Sequence, residues 1–158
     1  MDPLLASKLA HLLRTTRQAS LGTLNNGAPF ISMVLFATSP DFCNFYIHIS
    51  SLAQHTRDIA ADSRVSIMVM EKDNGAVDPQ QFSRVSIMGQ AFEVSGADPD
   101  YMQASSLYRE RYPASTPYFT MADFRLFRIR AEAGRFVAGF AKVANLGIED
   151  LLQASKIE

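Results

Sequence analysis

Hydrophobic residues near the start of the chain recur at the spacing of one helix face. Leu5, Leu9 and Leu12 are three or four positions apart, so their side chains share one side of an α-helix. The pair Asp2-Pro3 precedes them. It favours a helix start, because the carboxylate accepts from the first amides and proline lacks an amide hydrogen that would be unpaired there. We therefore predict a helix over residues 3–17.

The period of the hydrophobic positions then changes to two, which is typical of half-buried strands. The predicted strands cover residues 19–24, 29–37, 42–49, 64–70, 84–94 and 124–132. Asn25-Asn26-Gly27 joins the first two strands, because a tight hairpin turn needs residues that tolerate positive φ. Gly89 inside the fifth strand indicates a bulge or the close approach of another backbone.

The second predicted strand is apolar on both faces over its last residues, Met33, Val34, Leu35 and Phe36. This pattern is typical of a strand that is covered on both sides. The strand is therefore predicted to be central in a sheet, or to face a ligand or a partner subunit.

Three more helices are indicated after the third strand. Ser51 and Gln54 match a capping box and predict a short helix over residues 52–61. Another helix is predicted to follow Asp98-Pro99-Asp100, and an amphipathic segment predicts a terminal helix over 147–156.

These elements predict a mainly β fold with α-helices, in a single domain over residues 1–158. Six antiparallel strands with short connections favour closure into a barrel, since an open sheet leaves unpaired edges. We expect the barrel over residues 19–140, flanked by helices at both ends.

Composition and charge narrow the classes of function. The chain has 158 residues, 47% hydrophobic, and a net charge of −1, which is typical of a soluble globular domain. No apolar run is long enough to cross a bilayer and the N-terminus lacks a secretory pattern, so a cytoplasmic protein without a membrane partner is expected. A pI near 6.3 and the lack of a basic tail argue against a nucleic-acid partner.

Cysteine and histidine usage argues against a metal site. Cys43 is the single cysteine, which excludes an internal disulfide and a multi-cysteine zinc site. His11, His48 and His55 show no metal-ligand spacing with acidic residues. Redox chemistry in this chain would therefore depend on a cofactor.

The junction between the third strand and the short helix is the best candidate for an anion site. The first amides of a helix have no internal partner, and the helix dipole adds partial positive charge there. Hydroxyls and possible cations follow in the sequence, namely Ser50, Ser51, His55, Thr56 and Arg57. The alternative is that Ser51 only caps the helix, while Arg57 is solvated or paired with a neighbouring aspartate.

Arg84 stands at the start of an apolar strand. An arginine there either reaches out of the barrel rim or completes an anion site across the sheet. No pattern in the sequence distinguishes a catalytic residue.

Seven short runs occur together along the chain. They are Gly22-Thr23-Leu24 and residues 29–34, 49–59, 62–66, 84–89, 123–129 and 135–142. In this order they resemble the FMN-binding split barrel of the pyridoxamine 5'-phosphate oxidase-like superfamily. The last two runs and His55-Thr56-Arg57 are most similar to the branch related to haem-utilisation proteins.

This resemblance implies a six-stranded split barrel that forms homodimers, with FMN bound at the subunit interface. Ser50, Ser51, His55, Thr56 and Arg57 would hold the phosphate with help from Arg84. Ser32, Met33, Val34 and Leu35 would contact the flavin ring, mainly through the backbone.

The implied function is that of an FMN-dependent oxidoreductase acting on a small-molecule substrate that the sequence does not identify. The alternatives are a haem-binding or haem-degrading protein and a non-enzymatic flavin carrier or sensor. Haem-degrading relatives are expected to use a histidine in their C-terminal part as iron ligand. This sequence has no histidine after His55, which argues against haem chemistry of that kind.

Overall fold

A curled antiparallel sheet forms the body of the protein in the computed structural model, which describes residues 1–140 and 142–157. The described strands are β1 Gln18–Asn25, β2 Ala28–Leu35, β3 Ala37–Thr38, β4 Asn44–Ser50, β5 Arg64–Met70, β6 Ser83–Glu93, β7 Phe124–Ala138 and β8 Val143–Leu146. Their order is β2-β1-β5-β6-β7-β4-β3, with β8 paired to β7. In the described part of the chain β2 and β3 do not pair, so the sheet is split between them.

The predicted antiparallel sheet with flanking helices is confirmed, but the predicted number of six strands is wrong, since the described residues form eight. One reason is that the predicted strand 29–37 breaks at Phe36. The Tyr112 hydroxyl bonds both the Phe36 amide (3.2 Å) and the Phe36 carbonyl (2.6 Å), so this backbone leaves the ladder. The second reason is the short strand β8, whose residues show no clear alternation of hydrophobic and polar positions.

The last long strand also differs from its prediction. β7 continues from Phe124 to Ala138 rather than ending at residue 132, because β6 and then β8 pair with its second half. The run 135–142 includes Ala141, which, like Glu158 of the predicted domain, lies outside the described residues.

The helices are α1 Pro3–Thr15, α2 Gln54–Ala61, α3 Tyr101–Arg111 and α4 Ile148–Ser155, and Pro113–Thr120 is a 3-10 helix. The Asp2 cap is confirmed, since its carboxylate accepts from the amides of Leu4 (2.9 Å) and Leu5 (3.3 Å). α1 ends two residues before the predicted boundary because Thr16 is already extended and leads into β1. In residues 1–140 and 142–157, no helix has the length and hydropathy needed to cross a bilayer.

Two sequence predictions about the backbone are confirmed. Asn26 and Gly27 have φ of 50° and 82°, and the flanking Asn25 and Ala28 pair as a tight hairpin. The ladder between β6 and β7 shifts register between Met88 and Gly89, which is the predicted bulge.

The core lies inside the curl of the sheet, where α1 and α4 cover it. Leu9, Leu13, Phe45, Ile67 and Phe136 are among its fully buried side chains. A smaller cluster joins α3 to the split end of the sheet through Tyr108, Tyr112 and Leu126, among others. The two clusters leave the junction of β2, β4 and α2 between them, where the candidate site lies.

Candidate functional site

The helix α2 begins without a side-chain cap. Its N-cap residue is Ala53, and the first intrahelical acceptor is the Ala53 carbonyl, which bonds the Arg57 amide. Among the described residues, the amides of Gln54, His55 and Thr56 have no hydrogen-bond partner. These free N–H groups and the helix dipole are the elements of an anion site.

The predicted capping box of Ser51 and Gln54 is therefore wrong, and so is the helix start at residue 52. The Ser51 amide instead donates to the backbone carbonyl of Asp123 at 2.6 Å. The Gln54 side chain does not return to Ser51 but bonds Asp58 and Arg57. The bond to Asp123 directs the Ser51 backbone away from the helix, and the Gln54 side chain, bonded to Asp58 and Arg57, does not complete a capping box.

The hydroxyls predicted to hold a phosphate are partly used by the protein itself. Thr56 Oγ1 donates to the Ser50 carbonyl at 2.6 Å, and Ser50 Oγ donates to Asp123 Oδ2 at 3.0 Å. The Asp123 carboxylate also places negative charge next to Ser50, where it opposes a phosphate. The Ser51 hydroxyl makes no hydrogen bond within the described residues.

Arg57 is exposed on α2 and is tied to the interior through Gln54. Its Nη2 donates to Gln54 Oε1 at 2.9 Å, and Gln54 Nε2 donates to Asp58 Oδ1 at 2.7 Å. Asp58 is buried and also accepts from Thr23 Oγ1 at 2.8 Å. Arg57 thus reaches Asp58 only indirectly, and Asp62 pairs with Arg64 instead.

Ser32 and His55 form a pair across β2 and α2. Ser32 Oγ lies 2.9 Å from His55 Nδ1, whereas His55 Nε2 is buried and has no hydrogen-bond partner in the described residues. Burial lowers the pKa of His55 from its usual 6.5, although the charge of Asp58 opposes this effect. The lowered pKa favours the neutral ring at pH 7, so the structure does not favour His55 as the cation that the sequence suggested.

A cavity of about 320 Å³ adjoins this pair. Its walls come from β2, from the start of α2 and from aromatic residues near α3. The lining residues include Met33, Val34, Leu35, Ser50, Ala53, His55, His48, Tyr108, Tyr118 and Phe124. The cavity therefore joins mostly apolar walls to the polar junction at the start of α2.

The aromatic wall is built from residues that sequence analysis did not assign to the site. The His48 ring stacks on Phe119 at 3.8 Å between centroids, and Tyr118 stacks on Phe124 at 5.2 Å. Burial lowers the pKa of His48 to about 4, so that this ring is also neutral. No local pattern could have grouped these residues, because β4 and the segment after α3 are far apart in the sequence.

The structure brings together most of the predicted site residues but not Arg84. Ser32, Met33, Val34, Leu35, Ser50 and His55 surround the cavity or its histidine, and Ser51, Thr56 and Arg57 lie beside them. Arg84 pairs with Met70 at the end of β5 remote from α2, and its guanidinium donates to the Phe82 carbonyl at 3.3 Å. A larger open groove of about 1150 Å³ lies near that end and shares Met33 and Leu35 with the cavity.

Comparisons with known proteins give consistent matches. The family profile described as pyridoxamine 5'-phosphate oxidase matches residues 5–138. The heme oxygenase HutZ of Vibrio cholerae is 26% identical over 133 residues, which are 84% of this chain and 74% of HutZ. The non-canonical chloroplastic heme oxygenase HOZ of Arabidopsis thaliana is 31% identical over 138 residues, which cover 84% of this chain and 40% of HOZ.

The fold is also similar to that of solved structures. A heme binding protein from Mycobacterium smegmatis has a TM-score of 0.84 and 23% identity, covering 96% of this chain and 61% of that protein. The chain thus spans only part of the length of this protein and of the chloroplast relative.

Proposed function

Because the chain belongs to the pyridoxamine 5'-phosphate oxidase family, we propose that it binds FMN where β2 meets the start of α2 and acts as an FMN-dependent oxidoreductase. The resemblance to this superfamily, including its haem-utilisation branch, is confirmed by the family profile and the relatives. The split between β2 and β3 is the arrangement expected of an FMN-binding split barrel.

The uncapped start of α2 beside an apolar cavity supports this proposal. The amides of Gln54, His55 and Thr56 would receive the phosphate, because unpaired N–H groups at a helix start bind anions. The cavity walls from Met33 to Leu35 would contact the flavin ring. Bound FMN would supply the electron transfer, and the protein would orient it and limit its access to water.

The structure supports fewer contacts between this cofactor and the protein than the sequence predicted. We assign the phosphate to the three free amides and the Ser51 hydroxyl, and not to the Ser50 hydroxyl beside Asp123. Arg57 would act through its charge from the helix surface. Arg84 would contact a flavin only from a second protomer, because it lies at the other end of β5.

A homodimer is part of this proposal. The outer face of the sheet carries exposed apolar side chains on β2 and β6, among them Ile31 (70% exposed), Met33 (63%) and Met88 (51%). A cavity of about 320 Å³ is small for a cofactor site. A second copy seated on this face would bury the exposed side chains and enlarge the enclosure around the flavin.

Haem is the second candidate, and the two named relatives favour it. Both are heme oxygenases and align over 84% of this chain. A histidine ligand for haem iron would have to be His11, His48 or His55. The stacking of His48 on Phe119 and the bond from Ser32 to His55 restrict two of these rings.

Absorbance of the 158-residue chain distinguishes the two candidates. The purified protein is mixed with excess FMN or excess haemin in parallel, passed through gel filtration and scanned. Retention of one FMN per chain supports the proposal, whereas a Soret band with no retained flavin contradicts it and favours haem. Oxidation of NADH or NADPH by the FMN-loaded protein would support an oxidoreductase, and the lack of turnover with either nucleotide would favour a flavin carrier or sensor.

A further inference from the structure

Ser32 and His55 form a hydrogen-bonded pair beside the cavity, and polar groups of this pair lack any other partner among the described residues. Ser32 Oγ and His55 Nδ1 are 2.9 Å apart, and Ser32 Oγ has no other partner within the described residues. His55 Nε2 is buried and also lacks a partner there. Buried polar atoms of this kind are costly unless something satisfies them.

The two neutral forms of the ring leave different numbers of groups unsatisfied. If Nδ1 carries the proton, it donates to Ser32, and both the serine hydroxyl proton and the Nε2 lone pair remain without partners. If Nε2 carries the proton, the serine donates to Nδ1 and only the Nε2–H group is unsatisfied. The second arrangement leaves fewer groups unpaired and is therefore favoured.

The protonated ring is disfavoured by its surroundings. His55 lines an apolar cavity, and burial lowers its pKa despite the charge of the neighbouring Asp58. A neutral ring with hydrogen on Nε2 is a donor and cannot ligate a metal through that nitrogen.

We infer that Ser32 holds His55 as a neutral Nε2–H donor, and that the ring turns this buried group to an acceptor oxygen or nitrogen of the ligand when the ligand enters the adjoining cavity. This inference rests on the proposed function, because the ligand we assign is FMN. Ser32 is then a positioning residue, and His55 contacts the ligand. The acceptor belongs either to the flavin ring or to the phosphate group.

Nitrogen NMR of the free protein tests the tautomer without any ligand. Labelled wild-type protein is compared with Ser32→Ala and Ser32→Thr at pH 7, and the His55 signals are assigned by their loss in His55→Gln. We expect the Nε2–H form in wild type and in Ser32→Thr, and a mixture of both neutral forms in Ser32→Ala. A wild-type ring that is protonated, or that carries its hydrogen on Nδ1, overturns the inference.

Binding of FMN and riboflavin then locates the acceptor. His55→Leu should weaken FMN about five- to ten-fold, the effect of one lost hydrogen bond, whereas His55→Gln keeps a donor near the position of Nε2 and should recover most of the affinity. An equal loss for riboflavin places the acceptor on the ring, and a loss for FMN alone places it on the phosphate.

The two proposals fail in different ways. Unchanged binding of both flavins in His55→Leu overturns the inference while FMN binding itself stands. Wild-type protein that retains no FMN overturns the proposed function, and the NMR result still decides whether Ser32 fixes the tautomer of His55.

Discussion

At the scale of single residues, Gly89 shows how closely the backbones of β6 and β7 approach at the bulge. A Cβ atom at this position would lie 2.0 Å from the Arg130 carbonyl oxygen. Since backbone atoms on both strands would have to move, Gly89→Ala should lower the free energy of unfolding by about 1–3 kcal/mol. Urea denaturation of the variant and of wild type measures this difference.

Gly96→Ala is the matched control for this substitution. A Cβ atom there meets no atom within 4 Å, and φ of Gly96 is not in the left-handed region. Its unfolding midpoint should stay close to that of wild type. Equal midpoints for Gly89→Ala and Gly96→Ala would contradict the close approach at the bulge.

His48 makes the stability of the protein depend on pH. Burial lowers the pKa of the folded ring from 6.5 to about 4. Between these values the unfolded chain binds a proton that the folded ring does not, so the free energy of unfolding falls as pH falls from 6.5 to 4. We expect this loss to be on the order of 1–2 kcal/mol, because solvent at the cavity screens part of the effect.

His48→Phe isolates this contribution because it keeps an aromatic ring against Phe119 and removes the titrating group. Urea midpoints of both proteins are measured from pH 4 to 7.5. Wild type should lose stability relative to the variant below pH 6.5 and follow it above that value. Parallel curves over the whole range would show that His48 is not held neutral.

At the scale of elements, the start of α2 combines the lack of a side-chain cap with free amides that can bind an anion. Ala53 has the extended backbone of an N-cap, with φ −71° and ψ 149°, but no side chain that can cap. Ala53→Asp should therefore raise the free energy of unfolding by about 1 kcal/mol. The same carboxylate would occupy an amide and repel a phosphate, so FMN affinity should fall roughly ten-fold or more.

Two further variants separate the effects of the cap and of its charge. Ala53→Ser adds a cap without charge and should weaken FMN less than Ala53→Asp. Gly147→Ser changes the N-cap of α4, outside the site, and should leave FMN affinity unchanged. FMN affinity that does not change in Ala53→Asp would exclude the amides of α2 as the phosphate site.

Local sequence patterns predicted the elements that local interactions determine. The Asp2 cap and the turn at Asn26-Gly27 depend on residues only a few positions apart, and both are confirmed. The start of α2 depends instead on Asp123, which is far from α2 in the sequence and whose carbonyl accepts a hydrogen bond from the Ser51 amide. The break at Phe36 likewise depends on Tyr112. Contacts of this kind leave no periodic pattern in the sequence.

The candidate site likewise has features that local sequence patterns predict and features that depend on contacts between distant elements. The sequence predicted the residues at the strand-to-helix junction, because an anion site at a helix start is a local feature. It did not predict the link from Ser32 to His55 or the stack of His48 on Phe119, which join different elements. The structure therefore agrees better with the predicted positions of the site residues than with their predicted roles. We infer, for example, that His55 acts as a neutral donor.

At the scale of the whole molecule, the outer face of the sheet explains why β2 is apolar on both sides. Val34 is buried in the core, whereas Met33 and Ile31 point to the other face and are 63% and 70% exposed. Met33 pairs with Ser20 on β1, which pairs with Met68 on β5, so that a continuous surface of thioethers and small side chains runs across the sheet. Flexible thioethers adapt to many packing surfaces and are common at interfaces.

Met88 lies on this face and provides the test of the proposed homodimer, because it is 51% exposed and lines neither the cavity nor the groove. Met88→Glu would bury a charge in the dimer and leave it solvated in the monomer. We expect gel filtration with light scattering to show a dimer for wild type and a shift toward monomer for Met88→Glu.

Met102→Glu on α3 is the control, since Met102 is 73% exposed and lies away from the sheet face. A monomeric wild type, or a Met88→Glu variant that remains fully dimeric, would contradict an interface on this face, and FMN binding by the monomer would show that one copy holds the cofactor alone.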